Sequence, residues 1–241
     1  MKTLIISDVH ANLTALQAVL AAAGEFDRVW CLGDLVGYGP DANDCIRLIQ
    51  SLPNLTCAMG NHDAAMMGFI DLNAFNHEAR EAIRTQADTL SQESLDFLEL
   101  LNVRSEEGDI TFVHGSPGNP IWEYMMGVNS ARANFREYTT RICLFGHSHV
   151  PTLFVEEPEN RITLLVPGHG DMWRSEKRFM LNPGSVGQPR DHDPRASFVL
   201  YDDETDIWQF KRVKYDIAAV QERFRALDLS PWLARRLSQG V

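Results

Sequence analysis

Five apolar runs in this chain end on side chains that can ligate a metal. Ile5-Ile6-Ser7 leads into Asp8 and His10, and Cys31-Leu32-Gly33 into Asp34. Ala58-Met59-Gly60 leads into Asn61, His62 and Asp63. Phe112-Val113 leads into His114, and Leu144-Phe145-Gly146 into His147 and His149. Taken singly, each segment reads as structure: Asp8 as a turn cap, Gly33-Asp34 as a turn, the Asn61–Asp63 stretch as a polar loop, and His147-Ser148-His149 as a solvated bend. Together they take up five of the eight histidines, and that concentration points to a site. His77, His169 and His192 fall outside the pattern and read as surface or loop residues.

The donor set defines the chemistry. Carboxylate, amide and imidazole without thiolate suit Mn, Fe, Co, Ni or Zn in a reactive site, and argue against a structural zinc. In extended backbone, residues i and i+2 point the same way, so Asp8 with His10, and His147 with His149, are each expected to converge on one locus. Gly33, Gly60, Gly115 and Gly146 stand beside these residues and let the backbone turn and approach closely.

The elements that must position these residues follow an α/β pattern. The spacing predicts strands at "KTLIIS", "RVWCLG" and "NLTCAMG", with helices "LTALQAVLAAA" and "DANDCIRLIQ" between them. Asn12 is the expected cap of the first helix and Gly24 its stop. Alternating strand and helix implies parallel neighbours with right-handed crossovers, and in such sheets sites gather at the carboxyl ends of strands. Residues 64–101 read as mainly helical. "DITFVHG" and "ICLFGHSH" resume the strands, with a polar helix, "SARANFREYTT", between them. After Pro151 the runs "TLFVEE", "ITLLVP", "RFMLN", "ASFVLYDD" and "DIWQFKRVKY" are separated by short turns, which suggests antiparallel pairing. "DIAAVQERFRALD" reads as the helix that closes the chain.

Composition limits the function classes. The 241 residues are read as one domain with an ordinary apolar content of 44%. A net charge of −11 argues against a general nucleic-acid binder. It is compatible with a small phosphorylated substrate, because a metal ion inverts the local sign of a carboxylate-rich site. Cys31, Cys45, Cys57 and Cys143 show no metal-binding spacing and read as reduced, structural thiols. No leader pattern and no run near the ~20 apolar residues of a membrane span is seen, so a soluble, cytoplasmic protein is expected.

The segments "SDVHAN", "GDLVGYGPD", "GNHD", "VHGSP" and "GHSHVP", in this order, together with "NPGSVGQPRD" at 182–191, resemble the calcineurin-like metallophosphoesterases, and within them the small single-domain prokaryotic phosphodiesterases. The resemblance implies two packed, mixed β-sheets flanked by helices, in a single domain over 1–241 with a helical insertion at about 64–101. It implies two divalent transition-metal ions, manganese first, with Fe, Co, Ni or Zn as alternatives. Asp8, His10, Asp34 and His149 would hold the first metal. Asp34 as the bridge, with Asn61, His114 and His147, would hold the second. His62 would be the general acid at the leaving group, oriented by Asp63, with a metal-bridging hydroxide as nucleophile. Arg190 would bind phosphate, since its fork matches phosphate oxygens; the alternative is a surface pair with Asp191 or Asp193. Tyr38, Trp122 and Tyr124 are candidate pocket residues.

The activity implied is hydrolysis of a small phosphodiester or nucleotide. A second reading is a phosphomonoesterase or protein phosphatase. A third is a non-catalytic metal-binding scaffold, a class that lacks the histidine corresponding to His62. Residues 64–101 and 116–127 are expected to wall the pocket, and nothing in them names a substrate.

Overall fold

The computed structural model describes residues 1–241. Strand β1 (Lys2–Ile6), helix α1 (Leu13–Ala23), strand β2 (Arg28–Cys31), helix α2 (Ala42–Gln50) and strand β3 (Leu55–Cys57) follow in order. β1 pairs in parallel with β2, and β2 with β3, as the strand–helix–strand alternation requires. The Asn12 side chain accepts from the Ala15 amide to cap α1, and Gly24 ends that helix at φ 73°.

Three helices follow: α3 (Asn61–Met66), α4 (His77–Ala87) and α5 (Gln92–Glu99), with a single 3-10 turn at Leu72–Ala74. The expected helical stretch therefore begins earlier, at Asn61, and the "GNHD" segment forms the first turn of a helix. The remaining elements are β4 (Arg104–Glu107), β5 (Ile110–Val113), α6 (Val128–Asn134), β6 (Ile142–Leu144), β7 (Thr152–Glu157), β8 (Arg161–Leu165), β9 (Met172–Trp173), β10 (Phe179–Asn182), β11 (Ala196–Asp202), β12 (Ile207–Val213), α7 (Ile217–Ala226) and α8 (Pro231–Gln239).

The strands form two six-stranded sheets, in the orders β3-β2-β1-β11-β12-β9 and β4-β5-β6-β10-β7-β8. Strands after Pro151 pair mostly antiparallel, with one departure: β10 runs parallel to β6 on one side and antiparallel to β7 on the other. This makes the second sheet mixed, and the first is mixed because β1 runs parallel to β2 and antiparallel to β11.

Side-chain alternation along each strand builds the layers. Ile5, Trp30, Phe112, Leu144, Phe179, Val199 and Trp208 point between the sheets and form the inner core. Leu4 and Ile6 point the other way, onto α1 and α2. Val113, Cys143, Phe145, Phe154 and Met180 pack under α6 on the opposite outer face. A further cluster joins Tyr38 and Phe75 to α4, α7 and α8, and forms a helical cap beside the strand ends.

Several expectations are corrected. The chain does not close with α7. Ser230 and Pro231 start one more helix, α8, which ends at Gly240 in the left-handed conformation. The polar helix is displaced, covering Val128–Asn134 and not reaching Thr140. Two edge strands, β4 and β9, had no apolar alternation to reveal them. No helix is long and apolar enough to cross a membrane.

Candidate metal centre and active site

The five ligand-bearing segments follow β1, β2, β3, β5 and β6, so the site straddles the carboxyl ends of strands from both sheets. Segment 182–191 runs alongside the first of them. The Val186 and Gly187 amides donate to Ser7 O and Asp8 O, and the Ser185 hydroxyl donates to Asp8 O.

Two donor clusters result. Asp8, His10, Asp34 and His149 bring one ligand atom each to a common locus, and Asp34, His114 and His147 do the same. Asn61 joins the second cluster, its Oδ1 lying 3.1 Å from His114 Nε2. Asp34 is common to both. All of these side chains are buried.

Backbone carbonyls fix the imidazoles. His10 Nδ1 lies 3.0 Å from Val36 O, His149 Nδ1 2.6 Å from Gln188 O, His114 Nδ1 2.7 Å from Leu32 O, and His147 Nε2 3.2 Å from Trp122 O. A carbonyl only accepts, so each of these nitrogens carries a proton and the opposite nitrogen faces the cluster, with its lone pair free in His10, His147 and His149. This outer-shell pattern is how metal-ligating histidines are commonly oriented.

The electrostatics of the protein alone favour a cation. Both carboxylate oxygens of Asp8 are buried and receive no hydrogen bond. Burial pushes Asp8 up to about 7, with Asp34 adding to the rise. Burial works against charge on Asp34, yet His114 and His62 hold it well below the usual carboxylate range. Burial pushes His10 and His149 well down, and His147 down to about 3, which keeps them in the neutral form that binds metals. Burial also opposes protonation of His114, but the adjoining Asp34 outweighs it and raises this imidazole to about 9. Unpartnered carboxylate oxygens and facing lone pairs fit a pair of divalent ions.

The convergence of these ligands has a different cause from the one expected. Asp8, His10, Asp34, His147 and His149 are not extended; their φ angles are 54°, 46°, 54°, 65° and 60°. This left-handed region is uncommon for residues other than glycine, though Asp, Asn and His are enriched there. Sharp left-handed turns at the strand ends therefore aim the donors. Gly60 is required for close approach: a Cβ there would lie 2.1 Å from Asp34 Oδ1.

His62 occupies the first turn of α3, with its amide donating to Asp34 Oδ1 at 2.9 Å. Its ring is wedged among His10, Tyr38 and Phe75, with centroid distances of 4.8, 4.6 and 5.1 Å. Gly37 makes room for it, since a Cβ there would lie 2.1 Å from His62 Nδ1. Burial holds His62 down at about 4.

Asp63 does not orient His62, which corrects the sequence-based expectation. Its carboxylate accepts from the amides of Asp34, Leu35, Val36 and Gly60 at 2.8, 2.9, 3.2 and 3.0 Å. It ties the bridging residue's loop to the start of α3, and burial raises it to about 6.

Arg190 pairs with neither Asp191 nor Asp193. Those carboxylates bond Arg212 and Arg195 instead. Arg190 Nη2 donates to Gln188 Oε1 at 2.9 Å and reaches Tyr38 Oη at 3.4 Å. Its Nε is buried without a partner. Its amide donates to His149 O at 3.4 Å, and Tyr38, which its side chain reaches, lies 4.7 Å from the His10 ring and 4.6 Å from the His62 ring, which puts Arg190 beside the centre. Tyr124 stacks on His147 at 3.7 Å, and Trp122 meets Phe75 edge-on at 4.9 Å. All three candidate aromatics are thus at the site.

One contributor was missed from sequence. Gln86 of α4 accepts from the Gly37 amide and donates to Gly39 O, at 2.7 and 2.6 Å, and so clamps the loop carrying Tyr38. Its signal was a polar residue on the apolar stripe Ala79-Ala82-Ile83.

The family profile for the calcineurin-like phosphoesterase superfamily domain matches residues 1–206. An uncharacterized protein of Methanocaldococcus jannaschii is 36% identical over 98% of this chain and 97% of its own length. The crystal structure of a metallophosphoesterase from Sphaerobacter thermophilus is 44% identical, with a TM-score of 0.91 over 100% of this chain and 99% of that one. A symmetrical bis(5'-nucleosyl)-tetraphosphatase of Pectobacterium atrosepticum is 38% identical over 71 residues, covering 28% of this chain and 25% of that enzyme.

Proposed function

The chain belongs to the calcineurin-like phosphoesterase superfamily, and we propose that it is a phosphodiesterase that uses two divalent metal ions, manganese first among them, on a small phosphorylated substrate. The observation that carries this reading is the shared carboxylate. Asp34 Oδ2 lies 3.5 Å from His10 Nε2 and 3.3 Å from His114 Nε2, so one group serves both donor clusters. Asp8, His10, Asp34 and His149 would hold one ion, and Asp34, Asn61, His114 and His147 the other. When bound, such a pair polarises phosphoryl oxygens and lowers the pKa of a water for in-line attack.

The remaining steps fall to the chain's own residues. Arg190, with an unpaired Nε, binds the phosphate and offsets its charge. His62 gives a proton to the leaving oxygen. In the protein alone its imidazole is neutral at pH 7, and a bound phosphate anion beside it supplies the field that favours protonation. Asp63 acts as a positioning residue for Asp34. Diesters are favoured over monoesters because a 71-residue stretch is similar to a symmetrical bis(5'-nucleosyl)-tetraphosphatase. The four free cysteines fit a reducing compartment, and we place the protein in the cytoplasm.

The test is hydrolysis of bis(4-nitrophenyl) phosphate and 4-nitrophenyl phosphate by protein stripped with chelator and reloaded with Mn²⁺. Metal-dependent turnover with the diester preferred supports the reading. Preference for the monoester would move it to the phosphatase class, and no turnover of either would favour the scaffold.

A further inference from the structure

Four aromatic side chains lie against the histidines of the site, and they differ in how much of each ring is already covered. Tyr38 and Phe75, which wedge His62, are 6% and 7% exposed and are used up by packing. Trp122, whose ring lies 6.3 Å from that of His147, is half-buried against Phe75. Tyr124 is the exception. One face of its ring rests on the His147 imidazole, with centroids 3.7 Å apart and planes inclined by 24°, yet the residue is 46% exposed. Its other face is open.

This exposure is not that of a loose loop. Glu123, the residue before, accepts from the Ser116 hydroxyl and from Asn134 Nδ2, the latter at 3.0 Å. Met125, the residue after, is 2% exposed and packs with Val113, Phe135 and Phe145 beneath α6. The loop is also closed at its start, where the Gly115 amide donates to Pro120 O at 2.6 Å. The backbone is thus pinned on both sides of Tyr124, and a tyrosine ring has few torsions left to order when a ligand covers it. A ring held still against a metal-ligand imidazole, with one face uncovered, is built to stack a second flat group.

Position limits what that group can be. The open face is one ring removed from His147, so whatever lies on it belongs to a molecule whose phosphate sits at the donor clusters. Stacking on tyrosine tolerates every nucleobase, because each has a π-face. We infer that Tyr124 is a specificity-determining residue that stacks a nucleobase, and that the substrate is a nucleoside phosphodiester. The diester part rests on the phosphodiesterase reading; the stacking platform does not.

The test titrates Mn²⁺-loaded full-length protein calorimetrically with adenosine 5'-monophosphate and with ribose 5-phosphate, which lacks the base. The nucleotide should bind at least about tenfold tighter. Tyr124→Leu should remove most of that preference, and Tyr124→Phe, which keeps the ring, should retain it. Equal affinities in the wild type, or no binding of either ligand, overturn the platform whatever the variants do. A preference that survives in folded Tyr124→Leu, or that is lost in Tyr124→Phe, overturns it too. If Tyr124→Leu weakens both ligands by the same factor, the ring only braces His147 and the inference falls. Steady heat from turnover of the nucleotide would overturn the diester part alone, and the hydrolysis-resistant phosphonates of the same two compounds then decide the platform.

Discussion

His10 Nε2 faces His149 Nε2 at 3.1 Å, while the other nitrogen of each ring is committed to a backbone carbonyl. With Nδ1 protonated on both rings and both imidazoles held neutral by burial, two lone pairs point at each other. A cation between them turns that repulsion into two bonds. The second cluster differs: His114 Nε2 lies 3.2 Å from His147 Nδ1, and the proton that His114 keeps at neutral pH fills that gap until a metal displaces it.

Metal removal is therefore expected to cost both activity and stability. Chelator should abolish hydrolysis, and Mn²⁺ should restore it better than Ca²⁺, because nitrogen donors disfavour calcium. Reloading should also raise Tm, since a ligand at 100 times its Kd contributes about 2.7 kcal/mol. Thermal unfolding with and without Mn²⁺ checks this; equal Tm values and full activity in chelator would contradict it.

His62→Ala should retain metal and fold yet lose turnover. General-acid help is worth roughly 10²–10⁴-fold on a poor leaving group, and less on nitrophenolate, which leaves without much protonation. The check is kcat/KM for two diesters that differ only in leaving-group pKa. Equal losses on both would assign His62 to phosphate binding instead.

Asp63→Asn should not mimic His62→Ala. The carboxylate accepts four backbone amides, and an amide nitrogen in its place would face donors with a donor. Hydrogen bonds to a charged acceptor contribute about 1.5–3 kcal/mol each, so a loss on the order of 3 kcal/mol is expected, with weaker metal binding through the displaced Asp34 loop. Denaturant unfolding and metal titration read both effects. A stable variant with normal metal affinity and a selective loss on poor leaving groups would restore the role first expected for Asp63.

Metal uptake should depend on pH through His114. Its folded pKa is raised to about 9, so below that value a proton occupies the nitrogen that the metal needs. Binding must expel it, and affinity at the second site should rise with pH toward 9, by up to tenfold per unit. Titrations in buffers of different ionisation enthalpy measure the released proton; no release at pH 7 would contradict the assignment.

How much of this was legible in the sequence depended on range. The limits of α1 were readable because Asn12 and Gly24 act on their own neighbours. The ligand set was readable because residue type alone restricts which groups hold a metal. The left-handed turns at Asp8, Asp34 and His147 were not, because Asp and His adopt both conformations and only the packed sheets select one. β4 is held by its pairing with β5 and not by its own polar sequence, Arg104-Ser105-Glu106-Glu107. The resemblance implied that Asp63 orients His62, but in the first turn of α3 its carboxylate is taken up by four backbone amides. Gln86 reaches the Tyr38 loop from a distant helix, and its place on an apolar stripe marked it as buried without saying what it would bond.

If one carboxylate, Asp34, joins two metal sites, metal content per chain shows it most directly. Wild type, His10→Ala and Asp34→Asn would be loaded with Mn²⁺, desalted and measured by elemental analysis. Two ions are expected in the wild type, about one in His10→Ala, and a loss at both sites in Asp34→Asn. Two ions at full occupancy in Asp34→Asn would contradict it.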